Sequence, residues 1–237
     1  MLERLKDPEV RRRIRQDMET PSSTWDNEWQ EIPGPEAVLV GVVQNPALLP
    51  LQGRNLLEIA NLRRTEPIET LFDLLIEDDA FTSVAVFGMS EPDVALALIQ
   101  PWVSIDNDSS GTAPDGLLGQ EHPHPRAYGT FPRILRKYVR EEHRLTLEEA
   151  IRKFTALPAQ RMRLADRGVI KQGMWADVVI FNLNQIRDLA TFEKPNQLSV
   201  GVEYVLVNDV PVIAEGRPTD ALPGKVLRGP GCRPGIR

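Results

Sequence analysis

The sequence predicts an α/β fold followed by a small β unit, on three observations. Short apolar runs at Ala37–Val43 (AVLVGVV), Thr82–Phe87 (TSVAVF) and Trp102–Ile105 are the first. Such runs suit strands buried on both faces, as in a parallel sheet. Stretches of helical periodicity separate the runs, and strand alternating with helix is the rhythm of a parallel α/β protein. After Gly168 the helical spacing gives way to short strand patterns at Val178–Phe181, Tyr204–Val207 and Val210–Ala214.

Each element carries a local signal. Asp7 before Pro8, then a charged stretch, predicts a capped helix to about Met18. A Trp/Pro-rich loop follows through Trp25, Trp29, Pro33 and Pro35. Asn55–Asn61 is expected to be helical. So is Ile68–Ile76, where Ile68, Leu71, Phe72, Leu75 and Ile76 recur at helical spacing. Ser90 caps a helix through about Leu98, with Glu91 and Pro92 in its first turn. A polar loop spans Asn107–Pro125. Helices are then expected near Phe131–Glu142, Leu147–Thr155 and Pro158–Leu164, with Thr146 and Glu149 as a capping box. Asn208-Asp209 is turn-prone and closes a hairpin between the last two strands.

Composition narrows the function classes. The 237 residues are 41% hydrophobic and 26% charged, with a formal net charge of −6. That balance argues against nucleic acid or an anionic membrane as partner, since both are held by basic patches. No apolar run approaches the roughly 20 residues of a membrane span. The charged opening MLERLKDPEVRRRIRQ lacks the apolar centre of a signal peptide. Cys232 is the only cysteine, so a cytoplasmic setting is expected. Neither GxGxxG nor GxxxxGK[ST] occurs, which leaves nucleotide binding without support.

Four segments resemble the N-acyl-D-amino-acid deacylases, or D-aminoacylases, of the amidohydrolase superfamily. They are VSIDNDS (Val103–Ser109), HPRAYGTFPRIL (His124–Leu135), Leu145–Phe181 with its RGVIKQGMWAD stretch, and Arg187–Asp209 continuing to PGKVLRG (Pro223–Gly229). The resemblance implies the late part of a metal-dependent-hydrolase (β/α)8 TIM barrel over residues 1–167, incomplete at about three strands. Residues 168–237 would be a portion of the family's β-sandwich. A full barrel takes about 250 residues. The family's HxH pair, bridging cysteine and mid-barrel histidines are therefore expected upstream of Met1. The chain is expected to be a truncated piece, inactive alone, with the missing N-terminal half as its possible partner.

By the resemblance, Asp108 is the aspartate that binds the metal (zinc in the family) and moves the proton as general base and acid. Read without the resemblance, it is a loop-capping Asp among Ser and Asn. Asp106-Asn107 stand where the family has Gly-Ser, which adds a second carboxylate and removes a flexible strand exit. The resemblance also implies that Arg126 holds the substrate carboxylate, a task that suits a guanidinium because its planar fork matches a carboxylate bidentately. A surface Arg is the plain alternative. Tyr128 and His124 are expected to line the same pocket. His122 and His124 form an HxH, but the family's pair follows the first barrel strand, so no metal role is expected here. His143 and the basic run RILRKYVREEHR read as solvated helix surface, and Cys232 as an incidental thiol.

The implied reaction is metal-dependent hydrolysis of a non-peptide C–N bond, releasing a D-amino acid and a carboxylate from a small N-acyl amino acid. Two alternatives stand beside it. One is a cyclic-amide hydrolase of the dihydropyrimidinase or hydantoinase kind. The other is a non-catalytic fragment that acts only as partner of the missing half. HPRAYGTFPR favours the first reading.

Overall fold

In the computed structural model residues 1–229 are described, and Cys232 lies outside them. The chain gathers into two units. One comprises Met1–Ser90, Gly111–Pro125 and Thr191–Asn196, the other Glu91–Ser110, Arg126–Ala190 and Gln197 onward. No helix among the described residues is long and apolar enough to cross a membrane.

The first unit holds helices α1 (Leu2–Leu5), α2 (Pro8–Glu19) and α3 (Glu28–Glu31), strand β1 (Val38–Val40), helices α4 (Leu56–Arg63) and α5 (Pro67–Glu77), and strand β2 (Val84–Val86). The cap expected at Asp7 is in place, and α4 carries one that the sequence reading did not single out. The Asp7 carboxylate accepts from the Glu9 N–H at 2.9 Å, and Asn55 with Glu58 closes a full capping box at α4. Val38, Val40, Leu56, Ile59 and Leu74 form one apolar core. Arg11 joins α2 to α5 through Glu69 at 2.8 Å and Asp73 at 2.7 Å.

Asp78 follows α5 and is 2% exposed. One carboxylate oxygen accepts from the Gln44 and Asn45 N–H groups at 2.9 and 2.6 Å, and the other from the Thr82 hydroxyl at 2.7 Å. Buried donors left unpaired cost free energy, so Asp78→Ala is expected to destabilise the chain by about 3 kcal/mol in urea unfolding. A change below about 1 kcal/mol would mean that solvent replaces the carboxylate there.

The expected parallel barrel strands are corrected. β1 and β2 pair antiparallel, with Val38 opposite Val86 and Val40 opposite Val84. An apolar run reports burial and not direction, and direction follows from the neighbours that complete the ladder. On its other side β1 meets the chain at Gly53–Asn55: Val40 donates to Arg54 O at 2.9 Å, and Gly53 donates to Val40 O at 2.8 Å. Nor is β2 buried on both faces, since Val84 and Val86 are each 43% exposed.

The third expected strand, Trp102–Ile105, is not a strand. Its neighbourhood is held by side chains from a following helix pair instead of by a sheet. Arg161 donates to Trp102 O at 2.5 Å and Lys153 to Val103 O at 3.0 Å, while the Ile105 N–H bonds to Lys153 O at 3.2 Å.

That segment lies in the second unit, with α6 (Glu91–Ile99), α7 (Arg126–Arg133), a π-helical continuation (Ile134–Glu141), α8 (Leu147–Phe154) and α9 (Ala156–Arg161). Strands β3 (Val178–Phe181), β4 (Val202–Val207), β5 (Val210–Ala214) and β6 (Arg217–Pro218) follow, hydrogen-bonded in that order and antiparallel throughout. The small β unit expected after Gly168 is therefore present. Asn208 and Asp209 both have positive φ (50° and 68°), the requirement of a tight hairpin whose twist matches its strands. Ile105, Ile134, Leu135, Tyr138, Leu145, Ala150 and Ile186 form the core.

The capping box at α8 is half formed. Thr146 accepts from the Glu149 N–H at 3.2 Å, but the Glu149 carboxylate turns to Arg152 at 2.8 Å. The basic run is not the solvated face its alternating charges suggested. Arg136 bonds Asp188 at 2.9 Å, Lys137 pairs with Glu91 at 2.6 Å, and Arg140 donates to the Leu183 and Ile186 carbonyls at 2.7 and 3.0 Å. The sequence shows alternating charge but not the distant acids and carbonyls that turn it inward.

Candidate active site

The Asp108 loop starts from a fixed base. Ile105 is buried in the core of the second unit, and the chain leaves it toward solvent. Asp106 folds back locally, its carboxylate accepting from the Asn107 N–H at 2.7 Å. Asp108 takes a left-handed conformation (φ 44°), which Asp tolerates better than most residues because its short polar side chain bonds locally. This turn aims the Asp108 carboxylate at Arg126, and Oδ2 lies 2.7 Å from Nη2.

The two side chains are 82% and 45% exposed, and a pair so open to water contributes at most about 1 kcal/mol to stability. Arg126 opens α7, so its position is set by a helix and not by the loop. Chemically the arrangement offers one ionisable carboxylate and one planar cation that recognises carboxylates. Tyr128 sits on the same helix, half-buried, and its main-chain carbonyl accepts from the Ser199 hydroxyl at 2.9 Å. One residue on, Gly129 is buried against Asp188, where a Cβ would meet the Asp188 side chain at 3.1 Å.

His124 lies in the first unit, where its ring stands edge-on to Phe192 at 5.0 Å. His122 lies there too, with Nε2 2.6 Å from the Phe192 carbonyl oxygen. Both rings of the HxH are thus turned to Phe192. Among the described residues no group of three or more His, Cys, Asp or Glu could hold a metal ion. A catalytic zinc takes three protein ligands. Asp108 can be one of them, so the described residues do not complete a zinc site.

Two residues that organise this chain escaped the sequence reading. Asp78 hides in a run of acids that looks solvated. Lys153 stands three residues after Ala150, on the buried stripe of α8, and a lysine on an apolar stripe was the available signal.

Comparison with known proteins agrees with the resemblance. The profile of the amidohydrolase family matches residues 45–213. An N-acyl-D-glutamate deacylase of Alcaligenes xylosoxydans xylosoxydans is 49% identical over 114 residues, which are 48% of this chain and 23% of that protein. A D-aminoacylase of the same organism is 38% identical over 177 residues, 75% of this chain and 34% of that protein. Among solved structures, the N-acyl-D-glutamate deacylase of Bordetella bronchiseptica, complexed with zinc and a phosphonate inhibitor mimicking the tetrahedral intermediate, superposes with a TM-score of 0.66 at 31% identity. It covers 80% of this chain, which spans 38% of that structure. A D-aminoacylase crystal structure gives a TM-score of 0.66 at 32% identity, covering 81% of this chain and 38% of that one. The chain thus spans about a quarter to two fifths of the length of these relatives.

Proposed function

This chain belongs to the amidohydrolase family, and from that premise we propose that it is the part of an N-acyl-D-amino acid deacylase that supplies the reacting carboxylate and the substrate-binding cation. The Asp108–Arg126 pair at 2.7 Å carries this reading, because the two residues implied by resemblance meet across a loop in the folded chain. In the reaction, the Asp108 carboxylate accepts a proton from the attacking water as its oxygen bonds to the acyl carbon. The C–N bond then breaks, and the same proton passes to the departing amine, leaving a carboxylic acid and a D-amino acid. Arg126 holds the substrate carboxylate, with Tyr128 two residues on along the same helix.

Zinc is the cofactor of the assembled enzyme, its remaining ligands coming from another segment of that enzyme. On the same reading residues 1–167 correspond to the late barrel segment of the assembled enzyme, although β1 and β2 run antiparallel here, and residues 168–237 to its β-sandwich portion.

The test is amine release by the assembled enzyme from N-acetyl-D-amino acids, their L-enantiomers and hydantoins. Turnover of the D-acyl substrates is the expected result, and hydantoin hydrolysis in its place would sink the reading. Arg126→Ala is expected to raise KM about 10- to 100-fold with a smaller effect on kcat, the loss of one charge-assisted hydrogen-bonded pair. An unchanged KM would remove Arg126 from the substrate site.

A further inference from the structure

Building on Asp108 as the reacting carboxylate, we propose that Lys153 is a positioning residue for it. Its buried ammonium, with Arg152 and Arg161 beside it, clasps the main chain at Gln100–Val103 and so sets where the following loop delivers Asp108.

Four successive carbonyls are taken by cations of α8 and α9. Lys153 Nζ donates to Gln100 O and, at 3.0 Å, to Val103 O. Arg152 donates to Pro101 O at 2.6 Å, and Arg161 to Trp102 O at 2.5 Å. The main chain of Lys153 joins in, its carbonyl accepting from the Ile105 N–H at 3.2 Å. One residue therefore grips the segment on both sides of Ser104.

The lysine needs explaining, because its side chain is 0% exposed. Taking an ammonium out of water is costly unless other groups compensate it. The nearby carboxylate of Glu149 is 3.7 Å away and is already held by Arg152 at 2.8 Å. Burial accordingly lowers the lysine's pKa against the pull of Glu149. The carbonyl dipoles of Gln100 and Val103 are the closer partners. An apolar side chain would fill the same stripe of α8 without that cost, so the charge is accounted for by the carbonyls it holds.

The reach from the clasp to the site is short. Four residues separate Val103 from Asp108, and Asp108 is exposed, with only its ion pair to Arg126 to hold the side chain. Whether its carboxylate meets Arg126 depends on the fixed end of the loop. A misplacement of about 1 Å in a reacting group can cost about 100-fold in rate, so an anchor here bears on chemistry and not only on folding.

The full chain tests this without any turnover assay, by amide hydrogen exchange over residues 103–108 and by the carboxyl carbon resonance of Asp108. Lys153→Met is expected to speed exchange at Ile105 and its neighbours about 10-fold or more, while the amides of β4 and β5 keep their protection. The Asp108 resonance should move toward its position in the Arg126→Ala chain, which marks loss of the ion pair. The double variant Arg152→Gln/Arg161→Gln, which leaves the buried lysine in place, should move both readouts the same way by a smaller factor, and it carries the test if Lys153→Met does not fold. Unchanged exchange at Ile105 together with an unmoved Asp108 resonance, in whichever of these chains is folded, would overturn the proposal. A loosened loop beside an assembled Asp108→Asn enzyme that still turns over would leave the clasp standing and defeat the deacylase reading instead.

Discussion

Asp108→Asn in the assembled enzyme should lower kcat about 100- to 10,000-fold while leaving substrate binding within a few-fold of the parent, the range expected for losing a positioned proton-transfer group. The asparagine keeps the size of the side chain but cannot take a proton from water and return it to the amine. Substrate binding is expected to survive because Arg126 is held by α7 and not by the Asp108 loop. The isolated chain is expected neither to hold stoichiometric zinc nor to release amine. Asp108 is one ligand where about three are needed, and two neighbouring carboxylates without imidazole or thiolate bind zinc weakly. Metal analysis and amine release, on the chain and on the complex with a complementing family segment, check both statements. Robust metal-dependent turnover by the chain alone would show that the ligands are elsewhere, and His122 and His124 would be the first to re-examine.

The largest stability effect is expected at Gly201. Its φ is +87°, and a Cβ would lie 2.5 Å from both the N and Cα of Ile186 and 2.8 Å from the carbonyl carbon of Gln185. Those are backbone atoms, so no side chain can swing away. Gly201→Ala should cost on the order of 4 kcal/mol, combining left-handed strain with a backbone clash. Domains of ordinary stability have about 5–15 kcal/mol in all, so much of the second unit's margin would be lost. Gly173 is the control: its φ is +89°, but nothing lies within 4 Å of the added Cβ. Gly173→Ala should cost only the conformational part, about 1–2 kcal/mol. Equal urea midpoints for the two variants would mean that residues 185–186 do not pack on Gly201.

Local signals and nonlocal partners divide what was legible. Asp7-Pro8 and Thr146 mark helix starts within one turn, because a cap bonds to residues two or three positions away. Asn208-Asp209 marks its hairpin for the same reason. The direction of β2, the loss of the third strand and the inward turn of Arg136, Lys137 and Arg140 all depend on groups tens of residues distant. Motif identity reached further than periodicity, since HPRAYGTFPR and RGVIKQGMWAD point to the amidohydrolase family without any coordinates.

The sequence alone therefore determined the longer helices apart from the start of α7, the β hairpin, the family and the identity of Asp108 and Arg126 as candidates, all of which rest on residues close in the chain or on motifs. Only the tertiary structure decided that β1 and β2 run antiparallel, that Asp108 and Arg126 meet at 2.7 Å, and that a buried Lys153 holds the chain leading to them. The physical reason is common to all three. A strand's direction, an ion pair and a buried charge are each set by the partner that satisfies them, and that partner lies far away in sequence.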